Sequence, residues 1–257
     1  MKFKKILGID IGGSGIKGAP VNTETGKLIE LRHRIPTPEP ASPESIALVI
    51  KDLVQHFNWK GPIGCGFPAV IQNGIVKTAT NIDKSWIGTN ARELFSKATG
   101  LPTYVVNDAD AAGMAEIKFG AGKNFKGTIL LVTVGTGIGS VVFTKGKLLP
   151  NSELGHINLN GQDAELYTSD AVRKDEGLDW IVWAKRFDEY LLEMEKLLWP
   201  ELIIIGGGVS KKKKKFFEYL TVKAKVVPAK LLNEAGLVGA AMVAKANKKY
   251  LMSIYDK

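Results

Sequence analysis

Cysteine is almost missing from this chain of 257 residues: Cys65 stands alone, which rules out an internal disulfide and any cysteine-rich zinc site. Histidine is nearly as scarce, at His33, His56 and His156. No apolar run is suited to spanning a membrane. The uncharged stretch 127–144 contains four glycines and alternates Val with Thr, which suits strand, turn and strand. Lysines at positions 2, 4 and 5 precede an apolar run that Asp10 and glycines break at once, which a secretory signal would not tolerate. A soluble cytoplasmic protein is expected. Solenoid periods and low-complexity tails are also missing. Negative charge is in deficit: 26 acidic against 35 basic residues leave a net +9, which favours polyanions without saying which.

Glycine is what the chain has in quantity, and it falls in three turns. The first follows an apolar strand carrying Asp10 and comprises Gly12, Gly13, Ser14 and Gly15, with Lys17 just beyond. Glycines let backbone N–H groups approach an anion closely, and Asp10 before the turn is placed to hold Mg²⁺ through water. The spacing is neither the Walker pattern nor the dinucleotide fingerprint, since both need a helix directly after the glycines. Here 16–21 continues as strand, so a hairpin is expected, with a ligand-free glycine hairpin as the bland alternative. A second turn, Gly135, Thr136 and Gly137, lies between strands 128–134 and 138–144, and a third, Gly206, Gly207 and Gly208, follows strand 202–205.

Between these turns the order is three strands, helix, strand, hairpin, helix, strand. Thr25-Gly26 turns into a third strand running to Arg34, and 35–40 is a stiff proline-rich connector. Ser42-Pro43 starts a helix whose Ile46, Val49, Ile50, Leu53, Val54 and Phe57 mark one apolar face. A buried strand spans 61–70, and Asn73-Gly74 predicts a tight hairpin. Strand 101–106 ends at Asn107-Asp108-Ala109-Asp110 and a small-residue helix. Polar groups at the carboxyl end of a strand are where α/β sheets collect ligands. A loop segment with Glu153, His156 and Glu165 precedes a helix over about 179–198, whose apolar side serves as core or subunit contact. Five lysines, Lys211, Lys212, Lys213, Lys214 and Lys215, follow the third turn, and a last helix begins near 233–236.

The doubling of strand, glycine turn and strand, with an aspartate between the copies, resembles the duplicated actin-like ATPase (ribonuclease H-like) fold. Within it the chain resembles the ROK family of sugar kinases and repressors and, more narrowly, the polyphosphate glucokinases. The motifs carrying this are 8–20, 80–88, 105–113, Glu153-Leu-Gly-His156 and 205–212. The resemblance implies two α/β domains around a cleft, residues 1–106 with 236–257 and residues 107–235, hinged by the double crossing. It implies Asp108 as general base for a sugar 6-hydroxyl, against the plainer reading of an Asn-Asp helix cap. Asn81, Asn107, Glu153, His156 and Glu165 match sugar-contact positions, and their mixed donors and acceptors suit hydroxyls. Phosphates fall to Gly12, Gly13, Ser14, Lys17, Gly135, Thr136, Gly137, Gly207 and Gly208, and Mg²⁺ to Asp10. Many relatives hold zinc through a histidine at the position of His156 and three cysteines after it; those cysteines are lacking, so zinc is not expected.

The implied reaction moves a phosphoryl group from inorganic polyphosphate, and from ATP, to glucose, with mannose as a further acceptor. Closure of one half on the other would expel water, which competes as acceptor. The donor is argued from charge: adenine needs a pocket, whereas polyphosphate needs a positive track, for which Lys211 to Lys215 and Lys84 are candidates. The plain alternative is a solvated lysine face. Competing functions are a strictly ATP-dependent hexose or amino-sugar kinase, a non-catalytic sugar sensor and a filament-forming actin relative. Sugar-responsive repressors place a helix-turn-helix ahead of the first strand, and the roughly six residues there are too few for one. No nucleic-acid or membrane partner is expected, and a homodimer is.

Overall fold

The computed structural model describes residues 4–80 and 82–255, with side chains of the last helix described as far as Ala246. Its elements in chain order are β1 (Lys5–Gly12), β2 (Gly15–Asn22), β3 (Lys27–Leu28), β4 (His33–Ile35), α1 (Pro43–His56), β5 (Ile63–Phe67), β6 (Ile71–Gln72), β7 (Ile75–Val76), α2 (Ala91–Thr99), β8 (Thr103–Asn107) and α3 (Asp108–Phe119). There follow β9 (Thr128–Val134), β10 (Ile138–Thr144), β11 (Lys147–Leu149), β12 (Asn158–Leu159), β13 (Gln162–Asp163), α4 (Glu165–Thr168), α5 (Asp170–Asp175), α6 (Trp180–Leu198), β14 (Leu202–Gly207), β15 (Lys225–Pro228) and α7 (Ala235–Tyr255).

Two compact units result, residues 1–115 with 234–257 and residues 116–233. The sequence reading put the first boundary nine residues earlier, at the start of α3; the first turns of that helix stay with the first unit because Ala111 packs with Val106, Ala240 and Val243.

In the first unit β1 pairs antiparallel with β2 and parallel with β5, and β5 pairs parallel with β8, giving the order β3-β2-β1-β5-β8 with β4 also on β2. The third strand breaks into β3 and β4 rather than running on to Arg34. Helix α1 starts as predicted: Ser42 accepts from Ser45 N at 3.3 Å and Pro43 opens the helix. Its Ile46, Ile50 and Leu53 are fully buried with Leu7, Ile9, Phe67, Trp86 and Phe95. Glycines of β1 and β5 let α7 lie directly on the sheet. A Cβ on Gly8 would meet Leu237 O at 2.1 Å and one on Gly64 would meet Ala240 O at 1.7 Å, so larger residues at either position would lift the helix off.

The second unit repeats the plan as β11-β10-β9-β14-β15, with the same antiparallel and parallel senses. Helix α6 covers this sheet. Its Trp183, Phe187, Tyr190, Leu191 and Met194 are fully buried with Leu130, Ile203, Ile205 and Phe216. Of the two readings of this apolar stripe, core or subunit contact, the structure selects core: the sheet beneath needs those side chains to close it. The segment before α6, expected as loop, contains the hairpin β12–β13 and the short helices α4 and α5. Strand β15 was also not foreseen.

Candidate functional site

In the first unit three parallel strands deliver the candidate groups to one edge. The carboxyl ends of β1, β5 and β8 carry Gly12, Phe67 and Asn107, with Asp10 paired to Gly66 in register. A Cβ on Gly66 would stand 3.4 Å from Asp108 Cα, so the small residue lets the start of α3 come close. Asn107, not Asp108, caps α3: its Oδ1 accepts from Asp110 N at 3.0 Å while its Nδ2 donates to Ala69 O at 3.1 Å. Asn107 is buried and tied at both ends of its amide, and the half-buried Asp108 follows in the first turn, its Oδ1 accepting from Ala109 N at 2.7 Å.

The first glycine turn is a two-residue hairpin, with Gly12 opposite Gly15 and with Gly13 and Ser14 exposed at the tip. Two side chains that sequence reading missed hold it. Arg34 donates to Ser14 O and Thr37 donates to Gly12 O, each at 2.5 Å. β4 lies beside β2 with Arg34 opposite Lys17. Lys17 itself faces Asp10 across the hairpin, Nζ to Oδ2 at 3.3 Å. This edge therefore carries a carboxylate beside one cation, Lys17, with Arg34 one strand further on. Asp10 keeps a side-chain exposure of 20%, enough to be reached by the water of a hydrated cation.

In the second unit the turn Gly135-Thr136-Gly137 joins β9 to β10, closed by Gly135 N donating to Gly137 O at 2.9 Å. The third glycine turn lies beside it, because β14 runs parallel to β9 with Gly207 opposite Val134. Gly207 has φ +73° and a Cβ there would stand 2.2 Å from Val134 O, so both its conformation and its neighbour demand glycine. From this point a 3₁₀ turn, Gly208–Lys215, leads away, with Val209 and Ser210 buried and all five lysines exposed. Trp180 anchors its far end: Lys215 Nζ lies 5.6 Å and Arg173 Cζ 4.2 Å from its ring centroid.

The loop carrying Glu153 and His156 is bound to the same hairpin. Ser140 Oγ donates to Ser152 O at 2.5 Å, Ser152 Oγ donates back to Ser140 O at 2.9 Å, and Leu154 N donates to Ser140 Oγ at 2.8 Å. Glu165 Oε2 accepts from Ile138 N at 2.7 Å, lying over Gly137, where a Cβ would stand 2.2 Å from it. His156 Nδ1 meets Asp163 Oδ2 at 2.9 Å and its Nε2 is 4.0 Å from Glu153 Oε2. Burial alone would lower the His156 pKa. The hydrogen bond to Asp163 and the charges of Glu165, Asp163 and Glu153 outweigh it and hold the imidazole above its ordinary value. Glu153 is also raised, by burial first and by Glu165, against the opposing charge of His156.

The second unit thus brings together Glu153, His156, Glu165, Gly135, Thr136, Gly137, Gly207, Gly208 and the lysine run. The first brings together Asp10, Gly12, Gly13, Ser14, Lys17, Asn107 and Asp108. Lys84 is exposed and opens a 3₁₀ turn in the first unit, after Asp83, while Asn81 lies outside the described residues. Among the described residues no three His, Cys, Asp or Glu side chains converge as a metal-binding group, and no helix is long and apolar enough to cross a membrane.

Comparison with known proteins agrees with this architecture. The model of the ROK family matches residues 6–173. The polyphosphate glucokinase of Mycobacterium tuberculosis is 46% identical over 242 residues, 94% of this chain and 91% of that protein. The inorganic polyphosphate/ATP-glucomannokinase of Arthrobacter sp. strain KM superposes with a TM-score of 0.90 at 45% identity, covering 93% of this chain and 98% of that one. A ROK family glucokinase of Streptomyces griseus, solved with glucose and AMPPNP, gives 0.81 at 25% identity, covering 95% of this chain and 100% of that one. The doubled sheet, its glycine hairpins and these likenesses make the chain a member of the ROK family, with the actin-like ATPase fold of its sugar kinases.

Proposed function

We infer that this protein is a polyphosphate- and ATP-dependent glucokinase, forming glucose 6-phosphate. The single observation that carries the polyphosphate reading is the convergence of two glycine turns at the carboxyl ends of β9 and β14, with five exposed lysines leading directly away. A chain of phosphates needs such a sequence: backbone donors at the reacting end, then positive charge along its length. Similarity to a polyphosphate glucokinase over nearly the whole chain supports the same reading.

Asp108 is the general base. Its carboxylate takes the proton of the glucose 6-hydroxyl as that oxygen bonds to the terminal phosphorus, and the bond from that phosphorus to the bridging oxygen breaks. The donor leaves one phosphate shorter, or as ADP. Gly12, Gly13, Ser14, Thr136, Gly137, Gly207 and Gly208 supply N–H donors to phosphate oxygens, with Lys17 and Arg34 beside the first turn, while Gly135, whose N–H closes the second turn on Gly137 O, shapes that turn. Glu153, His156 and Glu165 meet the sugar hydroxyls, with Asn107 and Asn81 as further contacts. Sugar kinases of this family generally use a divalent metal ion, and Asp10, a half-buried carboxylate behind the first turn, fits Mg²⁺ held through water. Such an ion, when bound, would neutralise phosphate charge. Mannose is the second acceptor, as the name of the Arthrobacter relative suggests. Self-association uses a face other than the buried α6 stripe; the exposed Leu166, Ile181 and Val182 on the packed pair α4 and α6 are the candidates.

The test is glucose 6-phosphate formation by the purified protein with Mg²⁺, offered long-chain polyphosphate or ATP at matched phosphoryl concentration. Turnover with both donors, abolished in Asp108→Asn, is expected. No turnover with either would overturn the assignment, and turnover with ATP alone would reduce Lys211 to Lys215 to a solvated face.

A further inference from the structure

We propose that Asp163 is the positioning residue for His156, setting which imidazole nitrogen meets the sugar and thereby the affinity for glucose; this rests on the sugar-contact reading of His156. The hairpin β12–β13 returns the chain so that Asp163 lies opposite Asn158, two residues after His156. Its carboxylate then makes two bonds at once. Oδ2 meets His156 Nδ1 at 2.9 Å and Oδ1 accepts from Glu165 N at 2.8 Å. One side chain therefore fixes two of the three candidate sugar-facing groups of the second unit, Glu153, His156 and Glu165. Glu165 is in turn bonded to Ile138 N of the glycine hairpin, and Ser140 and Ser152 clasp the other end of the loop.

The chemistry of the pair dictates the tautomer. An ionised carboxylate only accepts, so the proton of the neutral ring must sit on Nδ1. Nε2 is then a bare acceptor for a hydroxyl, while Glu153 Oε2, 4.0 Å from it, offers a neighbouring acceptor. Asp163 touches no sugar in this arrangement. It acts through His156 and Glu165.

Asp163→Asn separates this role from a merely structural one. The carboxamide has one oxygen, and Glu165 N, a donor, claims it. The amide NH₂ then faces Nδ1 and drives the neutral ring to the opposite tautomer, with its proton on Nε2. In ¹⁵N-labelled full-length protein without sugar, the His156 nitrogen shifts should exchange their pyrrole-like and pyridine-like character. In kinetics, the glucose KM should rise about tenfold while kcat and the polyphosphate KM stay within about twofold, the pattern of lost sugar binding rather than lost chemistry. A tautomer unchanged in Asp163→Asn, or a glucose KM unchanged, overturns the proposal, as does a lowered melting temperature accompanied by neither shift. His156→Gln tests the underlying reading separately. A raised glucose KM there with a normal one in Asp163→Asn sinks only the role of Asp163, whereas a normal glucose KM in His156→Gln brings down the sugar contact and the proposal together.

Discussion

The two glycine hairpins occupy the same place in the same topology and are held by opposite chemistry. In the first, the exposed Arg34 lies over Gly15 and binds the carbonyl of Ser14. In the second, Glu165 lies over Gly137 and binds the amide of Ile138. The cation leaves the turn's backbone donors to an incoming anion and adds positive charge beside them. The carboxylate takes up one backbone donor and ties the turn to the loop carrying Glu153 and His156. Duplication of a fold therefore does not duplicate a site: topology supplies two turns, and the side chain over each decides what the turn is coupled to.

The largest effect should come from what has no counterpart in the second unit, the aspartate after β8. Asp108→Asn should lower turnover with either donor about 10²–10⁴-fold, as loss of a general base does, with glucose binding by calorimetry retained. Lost binding with lost turnover would mean that Asp108 mainly holds the sugar.

Next come the covers themselves. Gly137→Ala drives a methyl into a carboxylate already committed to Ile138 N, and should cost about 1–3 kcal/mol of unfolding free energy as that bond is displaced. Gly15→Ala meets only the end of an exposed arginine that can swing away, and should cost less than about 1 kcal/mol. Equal losses in denaturant melts would erase the distinction between the hairpins.

Replacing Lys211, Lys212, Lys213 and Lys214 with Ser should raise the polyphosphate KM roughly tenfold, flatten its dependence on salt and leave the ATP KM within about twofold. Arg34→Met should weaken both donors by a few-fold, since it removes positive charge beside a turn that either donor would use. If the serine variant weakens ATP equally, the lysines act as general charge rather than a track.

The smallest effect concerns pH. His156 and Glu153 both bind protons more tightly in the folded chain than in the unfolded one. Their stabilising contribution is therefore whole below the ordinary values of 6.5 and 4.5 and is lost as pH rises through the raised folded values. The melting temperature should fall slightly between about pH 6 and about pH 8, by a degree or two, and His156→Gln should flatten the imidazole part of that slope. A melting temperature that rises over this interval in the wild-type protein, and does so less in His156→Gln, would show that the imidazole is depressed rather than raised.

Local order determined much of this fold. Ser42-Pro43 opened α1 because a hydroxyl and a proline suit the first helical turn whatever lies beyond. Asn73 and Gly74 turned the β6–β7 hairpin because both tolerate positive φ, +55° and +80° here. The same signal, Asn160-Gly161 at +54° and +86°, was legible between β12 and β13 and would have placed Asp163 opposite Asn158 and close to His156. The five motifs marking the ROK family likewise lie in short stretches, so the family, the glycine turns and the candidate site residues were legible from the sequence.

What the tertiary structure alone decided is which groups lie over which. Arg34 reaches Ser14 across 20 residues and Glu165 reaches Ile138 across 27, and Ser140 meets Ser152 only because β10 runs beside that loop. The face of α6 was equally ambiguous, since an apolar stripe of period 3.6 suits a core and a subunit contact alike, and only the sheet beneath it made it core. Sequence spacing records the bonds a residue can make with its neighbours along the chain. The partner that satisfies a carboxylate or a guanidinium is chosen in space, after strand register has set which residues stand side by side.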